Sequence, residues 1–184
     1  LKNTPTMAEI TLAKEQADTQ GKAFVALAAK VQGRCQNMMI TPCVRQLDGT
    51  LVHYETDADG FAQPVEHVEA DGYPVNINAY IVPEDACLPP VYVQNVYKTS
   101  QVFGKKVAII DPETHALVMA WLEESPDTAA LFLDTTGQPV HSSANGPSDT
   151  VAGLCKRIFK SVCGKAVKPG LIRRACANTK EMRE

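Results

Sequence analysis

Three Asp-Gly dipeptides, Asp48-Gly49, Asp59-Gly60 and Asp71-Gly72, fall within a single stretch between residues 42 and 90. Asp-Gly accepts the positive φ angles of tight hairpin turns, so this stretch is expected to form short strands and to be the least helical part of the chain. A hairpin is expected from residues 51–55 and 61–68 around the acidic turn at 57–60, followed by a strand over 75–82. The flanking segments have a different period. Met7, Ile10, Leu12 and Ala13 predict a helix from Thr6 to about residue 17, with Thr6 as its cap and Glu9 placed to return the hydrogen bond. Ala23, Phe24, Leu27, Ala28 and Val31 predict a second helix from 22 towards 34, after a polar turn at 19–21.

Beyond residue 90 the pattern predicts a second hairpin, with strands over 91–97 and 106–110 joined by 98–104. Asp111 is suited to an N-cap and Pro112 to a first helical residue, opening a helix that carries Ala116, Leu117, Ala120, Trp121 and Leu122 and stops near Ser125-Pro126. Leu131-Phe132-Leu133 reads as a short buried strand and 136–147 as a loop. A helix is expected from Asp149, with Val151, Leu154, Cys155, Ile158, Phe159 and Val162 inward and Gly164 at its end. Pro169 opens a last helix, to about residue 182. No internal repeat or low-complexity tract interrupts this order. With 184 residues, the chain suits one compact domain. The expected class is α+β, a mainly helical domain with a small antiparallel β-sheet. It divides into a helical pair over 1–40, an acidic β-hairpin insertion over 41–90, and a hairpin plus helices with a basic face over 91–184.

The net charge of −3 conceals a strong asymmetry. Residues 155–184 hold nine Lys or Arg against two Glu, a net +7, which leaves −10 for the other 154 residues. Such a split describes a molecule with one basic face, the charge pattern that phosphate neutralisation requires, although a solvated pair of basic helices would give the same count. No apolar run approaches the length of a membrane span, and the first residues lack the basic-then-apolar layout of a signal peptide. The chain is therefore expected to be intracellular, with no membrane partner. A first residue of Leu instead of Met suggests an excised domain or a processed fragment.

Several chemical motifs are incomplete. Glu55, Asp57, Asp59 and Glu66, with Gly60 at the sixth place, space oxygen ligands much as a calcium loop does, but the flanks read as strands where helices are needed and Pro64 falls late in the loop, so an acidic hairpin turn is preferred. Gln46-Leu47-Asp48-Gly49-Thr50 is similar to the phosphoaspartate signature of haloacid-dehalogenase-like phosphatases, yet Gln46 stands where the nucleophilic Asp would be. His53, His67, His115 and His141 are scattered and form no metal-binding or GxSxG-type pattern. Cys35, Cys43, Cys87, Cys155, Cys163 and Cys176 form no CxxC pair. They are expected to be reduced, small core residues, with no metal and no cofactor.

The second half carries an ordered set of features: Tyr97-Lys98-Thr99-Ser100, Gly104, the strand Val107-Ala108-Ile109-Ile110, Trp121-Leu122, Pro126, Leu131-Phe132-Leu133, Gly137-Gln138-Pro139, Lys156-Arg157-Ile158-Phe159, Gly164-Lys165, and Gly170-Leu171-Ile172-Arg173-Arg174. This set resembles the catalytic domain of tyrosine recombinases of the phage-integrase type, especially their divergent eukaryotic and large-virus branch. The resemblance covers residues 91–178 well and 7–34 loosely. It implies attack of a tyrosine on a DNA phosphate through a phosphotyrosyl intermediate, with arginines neutralising the non-bridging oxygens. By position Arg173 is the second such arginine, and Arg34 is the candidate for the first, with Arg45 as runner-up. The resemblance implies that Lys98 would be the lysine that reaches the minor groove and protonates the leaving oxygen.

The sequence departs from that pattern in three places. Gly170 and Arg174 stand where the family has histidines, and Arg174 would bind phosphate without acting as a base. The stretch between Arg34 and Lys98 is longer than usual. No tyrosine follows Tyr97, whereas the family's nucleophile lies beyond the second arginine. The resemblance assigns Lys156, Arg157, Lys160, Lys165 and Lys168 to DNA contact, duplex DNA as the partner, a DNA-containing compartment such as the nucleus, and a tetramer on DNA for an intact parent. The alternatives are a non-catalytic DNA- or protein-binding relative and an unrelated interaction module from a viral polyprotein. Salt-dependent duplex binding separates them.

Overall fold

The computed structural model describes residues 3–31, 43–47, 50–51, 53–56, 62–65, 78–83, 87–95, 97, 99–125, 131–137 and 146–181. Helix α1 spans Met7–Gln16 and begins with the reciprocal cap that the spacing predicts: the Thr6 amide donates to Glu9 Oε2 at 2.8 Å, and the Glu9 amide donates to Thr6 Oγ1 at 3.2 Å. Helix α2 spans Thr19–Val31 and starts a turn earlier than its apolar period suggests. The expected polar turn at 19–21 is helical because the Asp18 carboxylate accepts the Gly21 amide at 2.7 Å, satisfying a first-turn donor. Gly21 is required there by space. A Cβ at that position would lie 2.8 Å from Asp18 Oδ1, 3.0 Å from Ala17 Cβ and 3.2 Å from Ile158 Cγ1.

Residues 23–28 of α2 are buried without a gap, which marks it as a central helix. It packs on α1, on the helix α4 (Pro112–Glu124) and on the last helix, α6 (Pro169–Glu181), while α1 also packs on α5 (Gly146–Cys163). Phe24 meets Phe132 edge-to-face, with centroids 5.6 Å apart. Asp111 caps α4 as expected, its Oδ1 accepting the Thr114 amide at 2.9 Å with Pro112 following it. Helix α5 begins at Gly146, three residues before the expected start at Asp149, and ends at Gly164, whose φ of 72° is the left-handed conformation that closes a helix.

The strands are β1 (Cys43–Leu47), β2 (Thr50–Leu51), β3 (His53–Thr56), β4 (Ala62–Val65), β5 (Ala79–Val82), β6 (Val91–Gln94) and β7 (Lys106–Ile109). Two antiparallel hairpins follow the turn chemistry. Leu47 pairs with Thr50 on either side of Asp48-Gly49, and Thr56 pairs with Ala62 on either side of residues 57–61. Strands β5, β6 and β7 form an antiparallel meander, with Tyr80 opposite Tyr92 and Tyr92 opposite Ala108. The domain is thus α+β, but its main sheet is larger than expected and mixed. The order is β2-β1-β5-β6-β7, and β1 runs parallel to β5 with Val44 opposite Ile81. A parallel join needs a long crossover, and the β3–β4 hairpin lies within the one used here.

Tyr80, Val82, Tyr92 and Ala108 belong to the face of the sheet that packs on the helices. On the other face Ala79, Ile81, Val91 and Val93 are buried as well, whereas Val107 and Ile109 on the edge strand β7 are exposed. The buried segment 131–133 forms only a single bridge at Leu133 and is held instead by side chains. The Leu133 amide donates to Gln20 Oε1 at 2.7 Å, and Trp121 Nε1 donates to the Leu131 carbonyl at 2.7 Å. Cys155 and Cys176 are buried and form no disulfide, and Cys163 is half-buried with Sγ donating to the Phe159 carbonyl at 3.2 Å. Cys87 is exposed, which corrects its reading as a core residue; it lies just before the Pro89-Pro90 entry to β6. Cys35 lies outside the described residues.

Candidate nucleic-acid interface

Helix α5 is divided by its period. Val151, Leu154, Cys155, Ile158 and Phe159 are buried, so the intervening Lys156, Arg157 and Lys160 are left on the solvent side. In α6 the inward residues are Ile172, Ala175 and Cys176, and Arg173 and Arg174 are exposed about 100° apart around the axis. Lys168 is exposed and Lys165 half-buried in the connection between the two helices. The resemblance grouped these seven cations, and the tertiary structure divides them. Lys165 Nζ lies 2.7 Å from Glu9 Oε2 and 3.5 Å from the Thr4 carbonyl, so it ties the α5–α6 connection to the start of α1. Arg157 Nη2 lies 3.6 Å from Asp18 Oδ2. Lys156, Lys160, Lys168, Arg173 and Arg174 make no ion pair among the described residues and keep their charge for solvent or an external anion.

The acidic residues that take cations or cap helices lie on α1, on α4 and just before α2 and α4. Asp111, Glu113 and Glu124 are at the ends of α4, where Glu113 Oε1 takes Lys14 Nζ at 2.8 Å, Asp111 Oδ2 takes Lys30 Nζ at 3.5 Å, and Glu124 Oε1 accepts Thr19 Oγ1 at 2.9 Å. The hydrogen bond from Lys165, and then that from the Thr6 amide, hold the Glu9 carboxyl below its ordinary value. Burial pushes Asp111 up, but the Thr114 amide and hydroxyl and the Lys30 charge outweigh it and hold its carboxyl low. His115 is part-buried against Tyr80. Its Nδ1 is 2.9 Å from the Tyr80 hydroxyl, the two rings are stacked at 6.1 Å, and burial lowers its pKa.

Arg34 and Lys98 lie outside the described residues, and Arg45 belongs to β1 opposite Val82. Tyr97 and residues 99–104 of the β6–β7 connection are hydrogen-bonded to one another. The Ser100 amide donates to the Tyr97 carbonyl at 3.0 Å and opens a four-residue helix, α3 (Ser100–Phe103), and the Tyr97 hydroxyl donates to the Gly104 carbonyl at 2.6 Å. Lys106 Nζ sits 4.6 Å from the centre of the Tyr97 ring. The sequence reading passed over Lys106, Val102 and Phe103. The signal was present in an apolar pair next to a glycine within a hairpin connection, where a polar tip is usual.

Among the described residues no group of His, Cys, Asp and Glu could hold a metal ion, and no helix is long and apolar enough to cross a membrane. Asp57, Asp59 and Glu66 of the calcium-like loop lie outside the described residues, and two other positions of the same loop, Glu55 and Pro64, belong to the paired strands β3 and β4. His67 and His141 also lie outside them. Comparisons with family models, with curated proteins and with solved structures find no match.

Proposed function

We propose that this chain binds duplex DNA as a domain similar to the catalytic domain of tyrosine recombinases, with α5 and α6 supplying the phosphate contacts. The observation that supports this most is the set of exposed cations Lys156, Lys160, Lys168, Arg173 and Arg174, which make no ion pair among the described residues, in a chain whose net charge is −3. Free cations concentrated on two adjoining helices release condensed counterions from a polyanion. Arg173 would grip non-bridging phosphate oxygens bidentately, and Arg174 would add a second contact. Lys98, from the β6–β7 connection, would protonate the leaving oxygen, with Arg34 as the further arginine.

The proposal for these 184 residues is binding and charge neutralisation. Cleavage also needs a tyrosine nucleophile. All five tyrosines lie at or before position 97, Tyr80 and Tyr92 are fully buried, and the Tyr97 hydroxyl is engaged by Gly104. A non-catalytic DNA- or protein-binding relative is the second reading. The test is fluorescence anisotropy of a labelled duplex over a salt series. Affinity should fall steeply with salt, and Lys156→Ala or Arg173→Ala should each lower the slope of log K against log salt by about one. A chain that ignores duplex DNA at low salt removes both DNA-binding readings.

A further inference from the structure

Among the described residues the main sheet ends at β7, and that edge is unprotected. Edge strands are commonly blunted by a proline, a bulge or an outward lysine. Strand β7 has no proline, pairs with β6 residue for residue from Lys106 to Ile109 without a bulge, and has Lys106 Nζ drawn over the Tyr97 ring at 4.6 Å. The Ile110 amide donates to the Pro90 carbonyl at 2.9 Å, so by the antiparallel alternation the bonds to β6 fall on residues 106, 108 and 110. The amides and carbonyls of Val107 and Ile109 therefore point to the open edge. Their side chains, 43% and 63% exposed, stand on the face away from the helices, where Ala79, Ile81, Val91 and Val93 are buried.

A second copy of the same strand fits this edge. Two β7 strands related by a twofold axis pair only in registers that set outward-pointing residues opposite each other. With Ala108 opposite Ala108 on the axis, Val107 of each copy lies opposite Ile109 of the other, and each such pair exchanges both backbone hydrogen bonds. The small Ala108 suits the axis, because a non-hydrogen-bonded pair is where two antiparallel strands come closest. The neighbouring registers that keep the hydrogen bonds set Ile109 opposite Lys105, or Val107 opposite Asp111, an apolar side chain against a charged one. The Ala108 register also continues the apolar rows of the sheet. Ala79, Val93 and Val107 are cross-strand neighbours, as are Ile81, Val91 and Ile109, so the first row runs on into the second row of the other copy. We infer that this chain forms a twofold dimer in which β7 pairs antiparallel with β7 of a second copy, centred on Ala108, so that two five-stranded sheets become one. The pairing goes beyond the DNA-binding reading and needs no DNA.

Sedimentation velocity of the 184-residue chain, reduced and free of DNA, should show a species of twice the 19.9 kDa chain mass that grows with concentration up to roughly 100 μM. Val107→Lys and Ile109→Glu should each weaken association at least about tenfold, since each sets a charge against an apolar residue. The double variant Val107→Lys/Ile109→Glu should recover the dimer, because centring on Ala108 brings every new lysine opposite a new glutamate, and its association should weaken with salt. Phe103→Ala should leave the dimer intact. Both β7 positions are exposed in the single chain, and an unchanged circular dichroism melt of dilute samples confirms that the variants fold. A chain that stays monomeric throughout overturns the dimer and leaves the edge to a strand of another partner. A dimer that survives both single substitutions, or is lost with Phe103→Ala alone, overturns the assignment to β7. A double variant no more associated than the single ones overturns the register. The duplex anisotropy series tests α5 and α6 separately, so failure of the dimer and failure of DNA binding are told apart.

Discussion

Lys165 Nζ and Glu9 Oε2 are 2.7 Å apart, and this pair joins two segments separated by 156 residues in the chain. The same Glu9 oxygen accepts the Thr6 amide, so one carboxylate both caps α1 and anchors the connection between α5 and α6. Both side chains are largely covered, at 28% and 22% exposure, and the bond sets the seat of the basic helices on the amino-terminal pair.

A double-mutant cycle with Glu9→Gln and Lys165→Met should return a coupling of at most about 1 kcal/mol in urea unfolding, because partial exposure screens the pair. In the duplex-binding assay Lys165→Met should cost less affinity than Lys156→Ala. Equal losses would show that Lys165 leaves Glu9 to contact phosphate.

Gly21→Ala should destabilise the domain by about 1 kcal/mol or more, even though alanine is the better helix former by a similar amount. The added Cβ would press on the Asp18 cap and on Ile158 of α5. A urea midpoint at or above that of the parent chain would show that this contact yields freely.

Gln20→Leu should cost about 1–3 kcal/mol, since it leaves the buried Leu133 amide without an acceptor. Trp121→Phe removes the donor to the Leu131 carbonyl and should cost less from hydrogen bonding, because a carbonyl has a second lone pair. Equal stability of Gln20→Leu and the parent would contradict the assigned role of Gln20.

Stability should decline on acidification in two stages. His115 has a folded pKa below its ordinary 6.5, so the unfolded chain takes up its proton first, and stability falls as pH drops from about 6.5 towards the folded value. Glu9 and Asp111 have folded values below the ordinary 4.5 and 3.8; their contribution is complete above those values and is lost as pH falls through the folded ones. Urea midpoints measured across pH should show both stages, and His115→Gln should flatten the upper one alone. A variant whose profile follows the parent throughout would rule out His115 as its source.

The cap of α1 by Thr6 and Glu9, the cap of α4 by Asp111 and Pro112, the stop at Gly164 and the pairing of β6 with β7 could all be read from residues a few positions apart. The earlier start of α2 could not be read from apolar periodicity, which is silent in the Asp18 to Gly21 turn until the Asp18 side chain is seen to accept the Gly21 amide. The basic residues of α5 and α6 were legible as a solvent-facing set because the apolar period leaves them no other side. Their division into paired and unpaired cations was not, because Glu9 and Asp18 belong to the opposite end of the chain.

Sequence alone determined the elements whose signals are local, namely helix caps, turns and the period of apolar residues, and with them an α+β domain carrying its positive charge at the carboxy-terminal end. Only the tertiary structure decided that β1 joins β5 in parallel, that Gln20 and Trp121 hold residues 131–133 in place of a sheet ladder, that Lys165 is bound to Glu9, and that Phe103 stands exposed at the hairpin tip. Each of these depends on which distant group fills a hydrogen-bonding or packing position, and no local period encodes that choice of partner.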